Sequence, residues 1–74
     1  MAALKEPVKI FIVQALACRD TPQEVAELVL QEFKIKVDRM QCSSYDPTKV
    51  AGRNLSKKFK DLFEETRKKF DEGL

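Results

Sequence analysis

The sequence predicts an all-α domain of three to four helices that contains a helix-turn-helix. Three observations lead to this prediction: the chain has 74 residues, a strong helix-start signal stands at Pro22, and apolar residues recur at helical spacing near the C-terminus. A chain of this length is close to the lower limit for a self-sufficient hydrophobic core. We therefore expect one domain over residues 1–74, without repeats or a flexible linker.

The first helix is predicted to begin near Pro7, because proline suits the first turn of a helix. Apolar residues occupy nearly every position from Val8 to Cys18. By periodicity alone, Lys9–Val13 would also suit a buried strand. The length of the apolar run favours a central, mostly buried helix.

The second helix has the clearest start signal in the chain, the sequence Thr21-Pro22-Gln23-Glu24. Thr21 and Glu24 have the spacing of a capping box, and Pro22 takes the first helical position, where its missing N–H costs nothing. We expect this helix to run from about Pro22 to Phe33. Its apolar face comprises Val25, Ala26, Leu28, Val29 and Phe33.

A short third helix is predicted after a turn of about four residues, Lys34–Val37. Asp38 and Gln41 have capping-box spacing, and Asp46–Pro47 ends the helix because a residue before proline avoids helical angles. Two helices joined in this way predict a helix-turn-helix at about residues 22–45. Ile35 and Val37 in the turn would fill the space between the two helices. Cys42 and Tyr45, three residues apart, would face inward from the short helix.

Lys34 stands where helix-turn-helix turns often have glycine, a residue that adopts positive φ without strain. A lysine with positive φ costs about 1 kcal/mol. Either the turn differs from the usual one, or the positive charge is useful there.

The last helix is predicted from about Leu55 to Phe70, with Asn54 as its N-cap and Gly52 weakening any helix before it. Leucine and phenylalanine recur at helical spacing along it. Core packing accounts for most of this face. Phe70 lies beyond what a small core easily covers, so a self-association surface is the alternative.

The charges are segregated along the chain. Residues 1–33 have three basic and five acidic side chains, residues 34–60 have eight and two, and residues 61–74 have three and five. The middle third therefore has a net charge of +6, although the whole chain is only +2. Such segregation favours a polyanionic partner over an ordinary solvated face.

Within this basic segment, the outward side chains of the short helix are predicted to contact base edges and phosphates of double-stranded DNA. Basic residues in the turn and beyond the short helix are expected to contact phosphates; a solvated helix face is their alternative. The candidate DNA-contacting residues are Arg39, Met40, Gln41, Ser43 and Ser44, together with Lys36, Lys49, Arg53, Lys57 and Lys58.

Enzymatic and metal chemistry are not expected. The chain has no histidine, and Cys18 and Cys42 are interpreted as core residues in a reducing compartment, a disulfide between them having no support. The acidic pairs Glu64-Glu65 and Asp71-Glu72 do not share a helix face. We expect no catalytic residue, metal or cofactor, and no membrane association, because the apolar stretches are too short to span a bilayer.

Three stretches of the sequence carry a family resemblance: FIVQALAC, TPQEVAELV and YDPTKVAGRNLSKKFKDLFEETRKKF. The last contains the block DPTK-x-AG-x-NLSKK followed by LFE-x-TRK-x-F. From about Val8 to Phe70 the chain resembles an uncharacterised family of small phage and prophage proteins. The resemblance implies a helix-turn-helix fold like the N-terminal DNA-binding domain of phage terminase small subunits.

The resulting expectation is a phage or prophage DNA-binding protein that recognises DNA for packaging, in the cytoplasm of a bacterial host. The resemblance adds the large terminase subunit as a partner to test, and the last helix offers a surface for homo-oligomers. A phage transcription regulator is the nearest alternative. A protein-interaction module that uses the phenylalanine-rich last helix is the alternative from another class.

Overall fold

The computed structural model describes residues 4–49, 52–53 and 55–73. It confirms the all-α prediction, since the described residues form helices, turns and connecting segments without a strand. The four helices are α1 (Glu6–Ala17), α2 (Pro22–Phe33), α3 (Arg39–Ser43) and α4 (Lys57–Glu72).

The apolar run of the N-terminal segment forms α1, a helix and not a strand, with Pro7 in its first turn as predicted. Ile12 and Val13 are fully buried, and both lie in the stretch whose periodicity was compatible with a strand. Consecutive buried positions fit a central helix that neighbouring helices cover on more than one side.

The end of α1 is a Schellman motif built without glycine. Arg19 has φ 71°, in the left-handed region. Its N–H donates to the Leu16 carbonyl at 3.0 Å, and the N–H of Asp20 donates to the Ala15 carbonyl at 3.2 Å. Two carbonyls that the helix leaves without partners are thereby satisfied.

The predicted capping box of α2 is confirmed. The N–H of Glu24 donates to the Thr21 hydroxyl oxygen at 3.2 Å, and the N–H of Thr21 donates to the Glu24 carboxylate at 3.2 Å. The helix has the predicted bounds and ends at Lys34, which has φ 58° and ψ 30°. Lys34 thus adopts the left-handed conformation that glycine usually takes at this position.

The prediction of a second capping box, between Asp38 and Gln41, is wrong. Asp38 is the N-cap of α3 by its backbone angles, but its side chain makes no capping hydrogen bond. The short helix instead is held at its other end, where the Ser44 hydroxyl donates to the Gln41 carbonyl at 2.6 Å. The helix stops before Asp46–Pro47 as expected.

Asp46 organises the segment after α3. Its buried carboxylate accepts hydrogen bonds from the Thr48 N–H at 2.9 Å and the Thr48 hydroxyl at 2.5 Å. Gly52 then lies so close that a Cβ atom there would overlap the Asp46 carbonyl. The role of Gly52 is therefore this close backbone approach, and not the weakening of a helix.

The last helix begins two residues later than predicted, at Lys57, and it extends to Glu72. Ser56 has the extended backbone of an N-cap, although its side chain makes no capping hydrogen bond. The predicted cap, Asn54, lies outside the described residues. Several polar residues in a row here can each precede a helix, so the sequence alone does not select one.

Contacts between α1 and α4 show that the two helices run parallel. Near their N-termini, Lys58 forms an ion pair with Glu6. Beyond their middle, the Arg67 guanidinium donates to the Ala17 carbonyl at 3.2 Å and to the Leu16 carbonyl at 3.3 Å. The pairing therefore advances in the same direction along both helices.

The hydrophobic core takes side chains from all four helices and from the turn after α2. Burial raises the pKa of the Cys42 thiol to about 11, with a smaller contribution from the Asp38 carboxylate. Cys18 and Cys42 are both free, and Cys18 is only half-buried. The buried members of the core are Val8, Ile12, Val13, Leu16, Ala17, Val25, Val29, Val37, Cys42 and Phe63.

Candidate nucleic-acid interface

The outward face of α3 follows from which side of this short helix is buried. Cys42 is fully buried, so the residue two positions earlier faces the opposite side. That residue is Met40, which is 73% exposed. Gln41 and Ser43 lie on the flanks and are half-buried. Of the predicted base-contacting residues on α3, Met40 and Arg39 are thus exposed, whereas Gln41 and Ser43 are half-buried.

Two exposed cations accompany Met40. Arg39 precedes it at the first position of α3, and Lys36 lies in the turn before the helix. Both side chains line one groove of about 280 Å³ between α2 and the turn, which also contains the carboxylates of Glu27 and Asp38 and the apolar side chains of Ala26 and Leu30. The structure therefore brings together the cations of the turn and of α3 at one surface.

Ser44 differs from the other candidates on this segment. Its hydroxyl hydrogen is directed at the Gln41 carbonyl, so the side chain ends α3 and has only its oxygen left as an acceptor. Gln41, another of the candidate DNA-contacting residues, keeps its own side-chain amide available. No capping bond involves that amide, in keeping with the missing second capping box.

The basic residues after α3 fall into two groups. Lys49, Arg53 and Lys57 are exposed and form no ion pair within the described part of the chain. Lys58 instead pairs with Glu6, and its ammonium group lies 5.6 Å from the centre of the Phe59 ring. Lys58 is therefore directed at α1 and lies apart from the groove that Lys36 and Arg39 line.

Lys34, for which the sequence left open either a different turn or a useful positive charge, belongs with the exposed cations. It ends α2 with positive φ, is exposed, and forms no ion pair among residues 4–49, 52–53 and 55–73. The unusual conformation is thus confirmed. A use for its charge remains a prediction.

Other basic residues have internal partners that the sequence did not indicate. Arg19 pairs with Asp71 at 3.0 Å, and Lys69 pairs with Glu65 at 3.3 Å. Arg67 donates to the end of α1 while its guanidinium carbon lies 4.4 Å from the centre of the Phe63 ring. Of these contacts, only the Lys69–Glu65 pair could have been predicted from the sequence, because its two residues are four positions apart on α4.

A second groove, of about 360 Å³, separates α1 from α2 on another part of the surface. Phe11, Ala15 and Leu28 supply apolar side chains, and Asp20 and Glu32 contribute carboxylates. Unlike the first groove, where Lys36 and Arg39 accompany two carboxylates, this groove has no basic side chain among its described lining residues, so we do not include it in the candidate interface.

In the described ranges, no three histidine, cysteine, aspartate or glutamate side chains come together as metal ligands would. Over the same residues, no helix combines the length and the apolar character needed to cross a membrane.

Family comparison matches residues 1–74 to a family described as "Uncharacterized conserved protein (DUF2280)". The chain belongs to this family. The match covers the candidate interface and the α1–α4 pair alike, so the DUF2280 family pattern extends over both regions. Comparison with curated proteins, and with solved structures, finds no match.

Proposed function

We propose that this DUF2280 chain binds double-stranded DNA, with α2, the turn after it and α3 acting as a helix-turn-helix. In this arrangement α3 enters the major groove and α2 crosses the phosphate backbone. Arg39, Met40 and Gln41 contact base edges, and Ser43 and Ser44 contact bases or phosphates nearby.

One observation carries the proposal. The most exposed large apolar side chain among the described residues, Met40, stands on α3 beside Lys36 and Arg39, exposed cations that form no ion pair in the described part of the chain, although Glu27 and Asp38 line the same groove. Elsewhere Arg19, Lys58 and Lys69 have carboxylate partners. Cations without internal partners are available to displace counterions from DNA phosphates, which favours binding.

Lys36, Lys49, Arg53 and Lys57 are the phosphate contacts in this proposal. Lys57 occupies the first position of α4, where the positive end of the helix dipole adds to its charge. A lysine there is unfavourable for the helix itself, so a phosphate at this end would relieve the repulsion. Lys58 contributes only if its ammonium group leaves Glu6.

We further propose that the DNA is phage or prophage DNA, and that the protein acts as terminase small subunits do in selecting DNA for packaging. Support comes from the resemblance described for the YDPTK segment and the stretch that follows it. The large terminase subunit is then a partner, and α4 offers the surface for homo-oligomers. A transcription regulator would use the same DNA-binding surface but require a specific operator.

The test is fluorescence anisotropy with a mixed-sequence duplex of about 30 base pairs, three helical turns, measured across a salt series. We expect affinity to fall steeply as salt rises. Lys57→Ala combined with Lys58→Ala should lower the salt slope by about two units if both lysines reach phosphates, and by about one if Lys58 stays with Glu6.

The matched control is Lys68→Ala combined with Lys69→Ala, which removes the same charge from the other end of α4. This control should leave the slope unchanged, because the lost charges lie outside the interface. Equal slope changes for both pairs would mean that net charge and not this surface governs binding. Absence of binding at low salt would contradict the proposal and favour a protein-interaction module that uses the exposed Phe70.

A further inference from the structure

The exposed side of α3 has an apolar side chain, Met40, where a helix face in contact with water usually has a polar one. Met40 lies about 160° around the helix from Cys42. Its 73% exposure compares with 49% for Leu30 on α2 and 36% for Phe70 on α4. No core function accounts for a methionine at this position.

We propose, on the basis of the DNA binding proposed above, that Met40 reads the C5-methyl group of thymine in the major groove. Thymine is the base that presents an apolar group at this edge, and apolar side chains recognise it by contact. The unbranched thioether side chain is long and flexible enough to adapt to that methyl group.

The neighbours of Met40 extend this reading to an adjacent base pair. Arg39 is exposed and comes directly before Met40. The contact of a basic side chain such as arginine with O6 and N7 of guanine is the commonest specific contact in protein–DNA complexes. The recognised site therefore contains a T·A pair next to or near a G·C pair, with thymine assigned to Met40 and guanine to Arg39.

The proposal separates sequence reading from phosphate binding. Lys49, Arg53 and Lys57 lie outside α3, and their contacts would be equal for all sequences. Met40 carries no charge, so its removal should change the preference among sequences without changing the salt slope. Because the side chain projects away from the core, substitutions at Met40 should also leave the fold intact.

The experiment begins with selection of duplexes from a random library by the full chain. The selected duplex is then synthesised with deoxyuridine in place of thymidine at one position at a time, which removes only the methyl group. For the unaltered chain, one such replacement should weaken binding about fourfold, the loss expected for one methyl contact. Met40→Ala should bind the thymidine and deoxyuridine duplexes equally.

Met40→Leu provides the conservative control, and it should keep part of the preference for thymidine. Thermal unfolding of each variant confirms that the fold is retained. Indifference of the unaltered chain to deoxyuridine at every position would overturn the proposal while DNA binding stands. Binding without enrichment of any sequence would overturn it too, and failure to bind any duplex would remove the proposed function as well.

Discussion

The α1–α4 pair and the α2–turn–α3 unit differ in the internal partners of their basic residues, although Lys57 and Lys68 on α4 are exposed and form no ion pair in the described part of the chain. On the first, Arg19, Lys58 and Arg67 are directed at carboxylates or carbonyls of the protein itself. On the second, Lys36 and Arg39 are exposed without an ion pair in the part of the chain that the structure describes. Net charge along the sequence therefore does not distinguish cations that stabilise the fold from cations available to a partner.

Helix ends sharpen the contrast, because both regions end a helix with a basic residue at positive φ. Arg19 follows α1 at φ 71° and forms an ion pair with Asp71. Lys34 follows α2 at φ 58° and is exposed. The same strained backbone is thus accompanied by an internal contact in one region and by an outward charge in the other.

The largest effect is expected where the two regions join. Gly52→Ala would place a Cβ atom against the Asp46 carbonyl, so we expect a loss of about 3 kcal/mol in the free energy of unfolding. Chemical denaturation followed by circular dichroism measures it. Gly73→Ala is the control, because its Cβ would lie 3.3 Å from the Lys69 carbonyl oxygen at an exposed helix end. Similar unfolding free energies for the two variants would contradict the close approach.

Arg39→Ala should separate DNA affinity from stability. If Arg39 contacts a base, its loss weakens binding to a selected site by about 1–3 kcal/mol. The free energy of unfolding should stay within about 0.5 kcal/mol, because the side chain is exposed. Anisotropy titration and denaturation measure the two quantities on the same variant. Unchanged affinity for a selected site would remove Arg39 from the interface.

Arg67→Ala should give the reverse result. It removes two hydrogen bonds to the end of α1 and the contact with the Phe63 ring, so we expect about 2 kcal/mol lower stability. DNA affinity at a temperature where the variant is folded should not change. Lys68→Ala, one position along α4 and exposed, is the control that should unfold like the unaltered chain. A loss of affinity in folded Arg67→Ala would show that the two regions are not separable.

The smallest effect concerns the two positive-φ residues. Lys34→Gly relieves left-handed strain and should raise the free energy of unfolding by about 1 kcal/mol. Arg19→Gly relieves the same strain but loses the pair with Asp71, so its gain should be smaller. Denaturation midpoints compare the two directly. An equal gain for Arg19→Gly would mean that its ion pair contributes nothing, and a larger gain would mean that the pair is unfavourable. Reduced DNA affinity of Lys34→Gly would assign the Lys34 charge to the interface.

Local chemistry allowed much of the fold to be predicted. The start of α2 follows from the Thr21–Glu24 capping box, and the usual helix-turn-helix turn, one of the two alternatives at Lys34, has the positive φ that this residue adopts. Both signals act within a few residues of the backbone they control. The inward positions of Val37 in the turn and Cys42 on the short helix were likewise predictable, because both are apolar residues in a mostly polar segment.

The remaining features depend on residues distant in sequence. Nothing near Arg67 indicates that its guanidinium contacts the end of α1, since the carbonyls that accept its hydrogen bonds lie 50 and 51 positions earlier. The role of Gly52 is set by the backbone of Asp46, which a turn brings back to it. At the candidate interface, the segregation of charge along the sequence predicted the exposed cations. The ion pair of Lys58 with Glu6 and the exposure of Met40 on α3 depend on the fold.

The parallel contact of α1 with α4 has a consequence for the order of folding. Its hydrogen bonds join residues about 50 positions apart, whereas α2 and α3 are joined by a short turn. Long chain closures are slow, because the entropy of the intervening segment is lost before the contacts form. The Schellman motif at the end of α1 is local, but the contacts of α1 with α4 can form only after Arg67 has been synthesised, so we expect the α2–turn–α3 unit to form before the α1–α4 pair.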